Sequence, residues 1–238
     1  MVMTRRTFFN VAGATAFAAA SLLLPGCGGS RNDAQSSSAV SNSASMSAEA
    51  SSSSSVASSV ASSASASAKA ASDALVIYFS HTGENYGVGV IEEGNTAIIA
   101  KMVAEKTGAD MFEVVPAEAY PEGYDECCDV ALSEQHAGAR PAYVGDIDIS
   151  GYKTVYLGYP IWWGDLPMCL YTFLEAHDWN GKEIHPFCTH AGSGLSSTVE
   201  AIQATCEGAN VSQGLAILGT TAQGSREEAR ASVEAWLG

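Results

Sequence analysis

Apolar runs and helical stripes alternate along the chain from about residue 74 to its end. Each of five short apolar runs is followed by a segment whose apolar residues recur at helical spacing. Such strict alternation of strand and helix predicts a parallel sheet that is covered on both faces. The predicted strands are Leu75–Phe79, Met111–Val115, Thr154–Gly158, Ile184–Cys188 and Leu215–Leu218, and the predicted helices cover 95–107, 121–136, 167–177, 197–206 and 226–237.

Residues that start and stop helices support this division. Gly108 is expected to cap the first helix at its carboxyl end, and prolines are expected in the first turns of two other helices. Two serines each stand three residues before a glutamate, which is the spacing of a capping box. The prolines are Pro121 and Pro167, and the boxes are Ser197…Glu200 and Ser225…Glu228.

The first 73 residues follow a different pattern. Arg5 and Arg6 precede an apolar stretch, 11–24, of about 14 residues, which is shorter than the roughly 20 needed to span a bilayer. A basic start followed by a short apolar stretch is typical of a signal peptide. The segment 1–27 resembles a twin-arginine export signal that ends in the lipoprotein box Leu24-Pro25-Gly26-Cys27, with Cys27 as the lipidated residue. An ordinary secretory signal is the alternative.

Residues 28–73 are rich in serine and alanine, above all from about Ser30 to Ser72, and contain no aromatic residue. A segment of this composition cannot bury enough apolar surface to offset the entropy of ordering, so we expect a disordered tether. The remaining segment, 74–238, has the size of a single domain with a sizeable core. We therefore expect a lipoprotein that is exported and anchored at the outer face of the cytoplasmic membrane, on the cell surface or periplasmic side, with the lipid as its only membrane attachment.

The folded segment is strongly acidic. Residues 74–238 contain 7 Lys and Arg against 23 Asp and Glu, a formal net charge of −16. Nucleic acid and anionic membranes are poor partners for such a surface, whereas a protein with a basic docking surface is favoured. Solubility alone would explain the acidity equally well.

The cysteines do not form a disulfide framework. Apart from Cys27 there are five, an odd number, with neither a C-x-x-C pair nor the spacing of zinc ligands. We expect most of them to be small core residues and expect no metal site. A redox role for the adjacent pair, Cys127 and Cys128, stays open; the others are Cys169, Cys188 and Cys206.

The loop after the first strand has the composition of a phosphate site. It runs from Ser80 to Tyr86, and the next helix opens at Gly94-Asn95-Thr96. Backbone N–H groups at a helix amino end favour an anion, and hydroxyls add neutral hydrogen bonds. The stretch 89–96 nearly matches a Walker A loop but has Asn95 where the lysine belongs, and the dinucleotide fingerprint G-x-G-x-x-G is absent. A cradle without a cation fits a single phosphate monoester.

Two further loops lie where strands end. "GYPIWWGDLP", 158–167, follows the third strand, and a tryptophan pair in a surface loop is suited to wall a planar ligand. "CTHAGSGLSS", 188–197, follows the fourth strand and supplies glycines, hydroxyls and backbone N–H groups. It is not a nucleophile elbow, because Ala191 and Leu195 stand where the glycines belong. In doubly wound sheets, ligands bind outside the carboxyl ends of the strands.

Together these loops give the domain its resemblance to flavodoxins, carried by "YFSHTGEN", "GNT", "GYPIWWG" and "PFCTHAGSG". The resemblance implies a three-layer α/β/α fold, a five-stranded parallel sheet of order 2-1-3-4-5, and non-covalent FMN. Two features depart from many flavodoxins: residues 84–93 separate the phosphate loop from its helix, and the loop after the fourth strand has no aromatic residue to stack on the flavin.

By this resemblance three groups of residues bind the cofactor, while no catalytic or metal-binding residue is assigned. Phosphate would be held by Ser80, Thr82, Gly83, Asn95 and Thr96, and the cofactor would also be contacted by His81 and Asn85 of the same loop, with no role assigned to either. One side of the isoalloxazine would be lined by Pro160, Ile161, Trp162, Trp163 and Gly164, and the other by Thr189, His190, Gly192, Ser193 and Gly194.

The flavodoxin resemblance, together with the export signal and lipoprotein box of residues 1–27, implies an exported, membrane-tethered FMN protein that transfers electrons to or from a redox partner protein. The alternatives are an FMN-dependent NAD(P)H:quinone or other small-molecule reductase of the same fold, and a flavin-less binding lipoprotein that keeps the fold. Because no cation is expected at the phosphate and the surface is acidic, a low potential is expected for the last one-electron step of flavin reduction.

Overall fold

The computed structural model describes residues 72–238. The predicted export signal 1–27 with its Cys27 lies outside the described residues, as does the predicted tether 28–73 except for its last two residues. Five main strands form a parallel sheet in the order β5-β4-β3-β1-β2, which confirms the predicted 2-1-3-4-5 arrangement. The strands are β1 Ala74–Tyr78, β2 Asp110–Glu113, β3 Thr154–Pro160, β4 Glu183–His190 and β5 Leu215–Leu218.

Helices cover both faces of this sheet. On one face the core joins β1 residues such as Val76 to α1, α5 and α6, and on the other it joins Leu75 and Ile77 to α3 and α4. Alternate residues of β1 therefore face opposite layers, as the two-residue period of a strand requires. The helices are α1 Asn95–Thr107, α2 Tyr124–Ala137, α3 Met168–Ala176, α4 Thr198–Thr205, α5 Gly219–Gly224 and α6 Arg226–Leu237.

The fifth strand is interrupted. Asn210–Val211 pairs with the beginning of β4, and β5 pairs with its end, from Phe187 to His190. Between them the Ser212 N–H still donates to the Ile184 carbonyl at 2.9 Å. The next donor in the ladder would be the nitrogen of Pro186, which has no hydrogen, so the pairing stops there.

The helix ends differ from the sequence prediction in two respects. Gly108 caps α1 in the left-handed conformation, with φ 70°, as expected. Ser197 and Ser225 occupy the predicted N-caps, but within the described residues neither side chain makes a capping hydrogen bond, so the capping boxes were wrong. Their ψ angles of 17° and 58° are far from the extended geometry that a capping side chain needs. Pro121 and Pro167 precede their helices rather than lying in the first turns.

Four of the five cysteines in the described segment are buried, as expected for core residues, and all five are free. Burial raises the pKa of the Cys127 thiol to about 12, so this thiol stays protonated at neutral pH and is a poor nucleophile. Between residues 72 and 238 no helix is long and apolar enough to cross a membrane.

Candidate cofactor-binding site

A cavity of about 630 Å³ opens at the carboxyl ends of β1, β3 and β4. This is the edge at which the sequence predicted a ligand, and the volume lies within the usual range of small-molecule pockets. All three predicted loops reach it. The predicted residues that line the cavity are His81, Asn85, Asn95, Pro160, Ile161, Trp162, Trp163, Thr189 and His190.

The remaining predicted residues lie around the cavity rather than in its lining. Thr96 and Thr189 bond to each other through their hydroxyls at 2.8 Å, and Thr96 is 1% exposed. This pair joins the first turn of α1 to the end of β4 and so fixes the distance between two of the loops. The residues outside the lining are Ser80, Thr82, Gly83, Thr96, Gly164, Gly192, Ser193 and Gly194.

The amino end of α1 is shaped closely around the phosphate loop. The Ala97 N–H donates to the Ser80 hydroxyl at 3.0 Å, which leaves the loop packed on the first turn of the helix. Gly94 lies between them, and a Cβ atom there would contact the Ser80 oxygen and stand 2.6 Å from the His81 carbonyl oxygen. Only glycine lets the phosphate loop pack this closely on the start of α1.

The side chain of Asn95 carries an unsatisfied acceptor. Its Oδ1 atom is buried and has no hydrogen-bond partner among the described residues, although Asn95 belongs to the cavity wall. Buried polar atoms of native proteins are nearly always paired, so this oxygen is suited to a hydrogen-bond donor of a ligand. A flavin mononucleotide fits the donor set, since its hydroxyls donate while its phosphate needs only N–H groups nearby.

The two tryptophans of the loop after β3 have different surroundings. Trp162 packs edge-on against Phe79 and Tyr120, with ring centroids 5.3 and 4.8 Å away, so its ring is a fixed part of the wall. Trp163 is 53% exposed and has a left-handed backbone, with φ 52°. Its indole N–H donates to the Cys128 carbonyl at 2.9 Å, which ties the loop to α2.

His190 holds the loop after β4. Its Nδ1 accepts hydrogen bonds from the N–H groups of Gly192, at 2.9 Å, and Gly194, at 3.2 Å. An imidazole that accepts at Nδ1 is neutral there, and burial lowers the pKa of His190 in agreement. On the other side of the cavity, His81 Nε2–H donates to the Pro121 carbonyl at 3.0 Å, and burial lowers its pKa too.

Acidification should therefore release the 190–194 loop. Because the folded-state pKa of His190 is below the unfolded value of about 6.5, its contribution to stability is present above that pH and is lost as the pH falls through the folded pKa. Protonated Nδ1 cannot accept, so the Gly192 and Gly194 amides should lose protection, relative to their intrinsic exchange rates, below that pKa. His190→Asn, whose amide oxygen accepts at every pH, should flatten this dependence. Equal protection of both amides in the wild type and in His190→Asn at every acidic pH at which the fold persists would contradict the role.

The segment between the phosphate loop and its helix is a small hairpin, with Gly83–Asn85 paired to Gly89–Ile91. It is joined to the start of α2 by two hydrogen bonds. The Glu84 N–H donates to the Glu122 carbonyl at 2.7 Å, and the Tyr124 N–H donates to the Glu84 carboxylate at 3.2 Å. The hairpin is therefore a fixed wall.

Sequence reasoning missed the contribution of α2 to the cavity. Tyr124, Cys127, Cys128 and Ala131 recur at helical spacing, which is the signal that could have identified a shared face. Nothing in the spacing shows that this face turns toward the sheet edge. The further lining residues are Glu84, Tyr86, Tyr124, Asp125, Cys127, Cys128, Asp129, Ala131, Ala191 and Gly219.

The fold and site define a doubly wound α/β protein with a nucleotide-type pocket at the switch point of the sheet. A family model described as flavodoxin matches residues 73–235, and the chain belongs to this family. Membership of the family confirms FMN as the cofactor, and the chain is an FMN-binding protein with an electron-transfer or oxidoreductase function.

Solved flavoproteins resemble the chain over nearly their whole length. A flavoprotein from Bacteroides eggerthii is 26% identical, with a TM-score of 0.52, over 69% of this chain and 98% of that one. Another, from Bacteroides uniformis, is 29% identical, with a TM-score of 0.52, over 68% of this chain and 97% of that one. No curated protein matches the chain.

Proposed function

We propose that this chain is an exported, membrane-tethered flavodoxin-like protein that holds FMN non-covalently and passes electrons to a redox partner. The observation that supports it most is the convergence of three loops on one cavity, together with the unpaired oxygen of Asn95. Export and tethering rest on the pattern of residues 1–73 alone.

The residues of the cavity have distinct tasks in this proposal. Backbone N–H groups at the start of α1 receive the phosphate, and Asn95 accepts from a ligand hydroxyl. Trp162 provides a rigid aromatic wall, and His190 holds the opposite loop in place by its two backbone hydrogen bonds. When bound, FMN supplies the one- and two-electron chemistry that no side chain here can supply.

A second candidate function is an FMN-dependent reductase of quinones or other small molecules. The wall formed by α2 and the hairpin favours it, because it extends the cavity beyond the three loops predicted to hold the flavin. Mixing the FMN-loaded protein with NAD(P)H and a quinone distinguishes the two. Turnover with NAD(P)H alone would favour the reductase, whereas a requirement for a separate reductase protein would favour the carrier.

The charges of the cavity predict a low potential. No Lys or Arg of the described segment lines it, while Glu84, Asp125 and Asp129 do. The last one-electron step of reduction adds negative charge, so we expect its potential to lie below that of free FMN. Asp125→Asn should raise it by about 10–40 mV, the equivalent of one exposed charge interaction. A redox titration that gives the free-flavin value or a higher one would contradict this prediction.

A further inference from the structure

The outer, more exposed half of the cavity is built mainly from the hairpin and from α2. The hairpin contributes Tyr86, and the first turns of α2 contribute Tyr124, Asp125 and Asp129. The inner half, by contrast, comes from the ends of the strands and the start of α1. One cavity therefore joins a predicted flavin site to a second wall of different chemistry.

This second wall is aromatic and rigid. The rings of Tyr86 and Tyr124 lie 6.0 Å apart at 44° to each other. The Glu84 bonds to the start of α2 hold the two tyrosines in this arrangement. Tyr86 is nevertheless 64% exposed. An exposed ring fixed in a cavity wall offers its face to a planar ligand at little cost in entropy.

The same wall is negatively charged. Asp125 and Asp129 are exposed, stand four residues apart on α2 and so repel each other, and neither forms an ion pair with another described residue. Glu84 adds a third carboxylate to the lining. Carboxylates beside tyrosine faces attract a cation by charge and by cation–π interaction, and they repel an anion of the same shape.

We propose that the outer half of the cavity, beside the paired rings of Tyr86 and Tyr124, binds a planar aromatic cation. This inference rests on the FMN binding of the proposed function, since FMN then occupies the inner half of the cavity. The cation would be the small-molecule substrate of the second candidate function, the reductase. The carboxylates select the charge of the ligand, and the tyrosine rings select its shape.

Equilibrium binding to the FMN-loaded full chain tests this directly. The probes are phenosafranine, a planar phenazinium cation, and anthraquinone-2-sulfonate, a planar anion. We expect phenosafranine to bind at least about tenfold more tightly, and we expect the preference to shrink with added salt because the carboxylates are exposed. Equal affinities for the two dyes would overturn the proposal.

Variants separate the role of charge from that of the rings. The double variant Asp125→Asn with Asp129→Asn should bind phenosafranine about fivefold to tenfold more weakly, and its affinity for anthraquinone-2-sulfonate should not fall. Glu207→Gln with Glu234→Gln changes the net charge equally at exposed sites outside the cavity and should leave both affinities unchanged. Tyr86→Ala should weaken the binding of phenosafranine, whereas Tyr86→Phe should leave its affinity unchanged. An equal loss in the control pair would overturn the proposal.

FMN retention is measured on the same samples. A wild-type chain that fails to bind FMN would contradict the proposed function and, with it, the second site. A chain that retains FMN but shows no preference for the cation would contradict the second site alone.

Discussion

Replacing Gly94 with alanine is expected to weaken FMN binding about 10- to 100-fold, the equivalent of an overpacked site. The new Cβ atom would contact the Ser80 hydroxyl oxygen and stand 2.6 Å from the His81 carbonyl oxygen. The phosphate loop must then move away from α1, which breaks the bond from the Ala97 N–H to Ser80. Titration of the apoprotein with FMN, followed by flavin fluorescence, measures the loss.

The backbone at Gly94 makes this test specific. Its φ of −66° and ψ of 149° are ordinary for any residue, so alanine introduces no backbone strain there. Gly151→Ala is the matched control, because no atom lies within 4 Å of the Cβ position at that glycine. Equal FMN affinities for the Gly94 and Gly151 variants would show that the loop does not approach the phosphate.

Trp162→Ala is expected to lower the free energy of unfolding by about 2–4 kcal/mol and to impair FMN binding as well. The substitution removes edge-on contacts to Phe79, Tyr120 and His81 and leaves a gap beneath the loop. Urea denaturation of the apoprotein measures the change in the free energy of unfolding without any contribution from FMN binding.

The neighbouring Trp163→Ala provides the control, since the chemical change is the same. Trp163 is 53% exposed, and its substitution removes one hydrogen bond to the Cys128 carbonyl. We therefore expect the free energy of unfolding to fall by only about 1 kcal/mol. Both tryptophans belong to the same sequence motif, so the motif alone does not distinguish them. Equal destabilisation by the two variants would contradict the distinction between a fixed and an exposed tryptophan.

The sheet could be predicted because its signals are local. Runs such as Leu75–Phe79 and Leu215–Leu218 are apolar, short and bounded by turn residues, and the structure has strands there. The break in the fifth strand could not be predicted in the same way. It is caused by Pro186 in β4, which becomes the neighbour of Ser212 only when the sheet assembles.

The site shows the same division. Loops at strand ends meet at one edge in any doubly wound sheet, so the loops that contain Asn95, Trp162 and His190 could be brought together from sequence. The contribution of Tyr124 depends on how far an edge helix leans toward the cavity, which no spacing specifies. The short helix α5 was also missed, because six residues with two glycines, Gly219–Gly224, give no helical stripe.

The visible absorption spectrum of the full chain during titration with FMN decides whether the cavity binds this cofactor. We expect a flavin spectrum that saturates at one FMN per chain, together with a loss of tryptophan fluorescence from Trp162. A protein that stays colourless and leaves added FMN unbound would contradict it and would favour a flavin-less binding protein of the same fold.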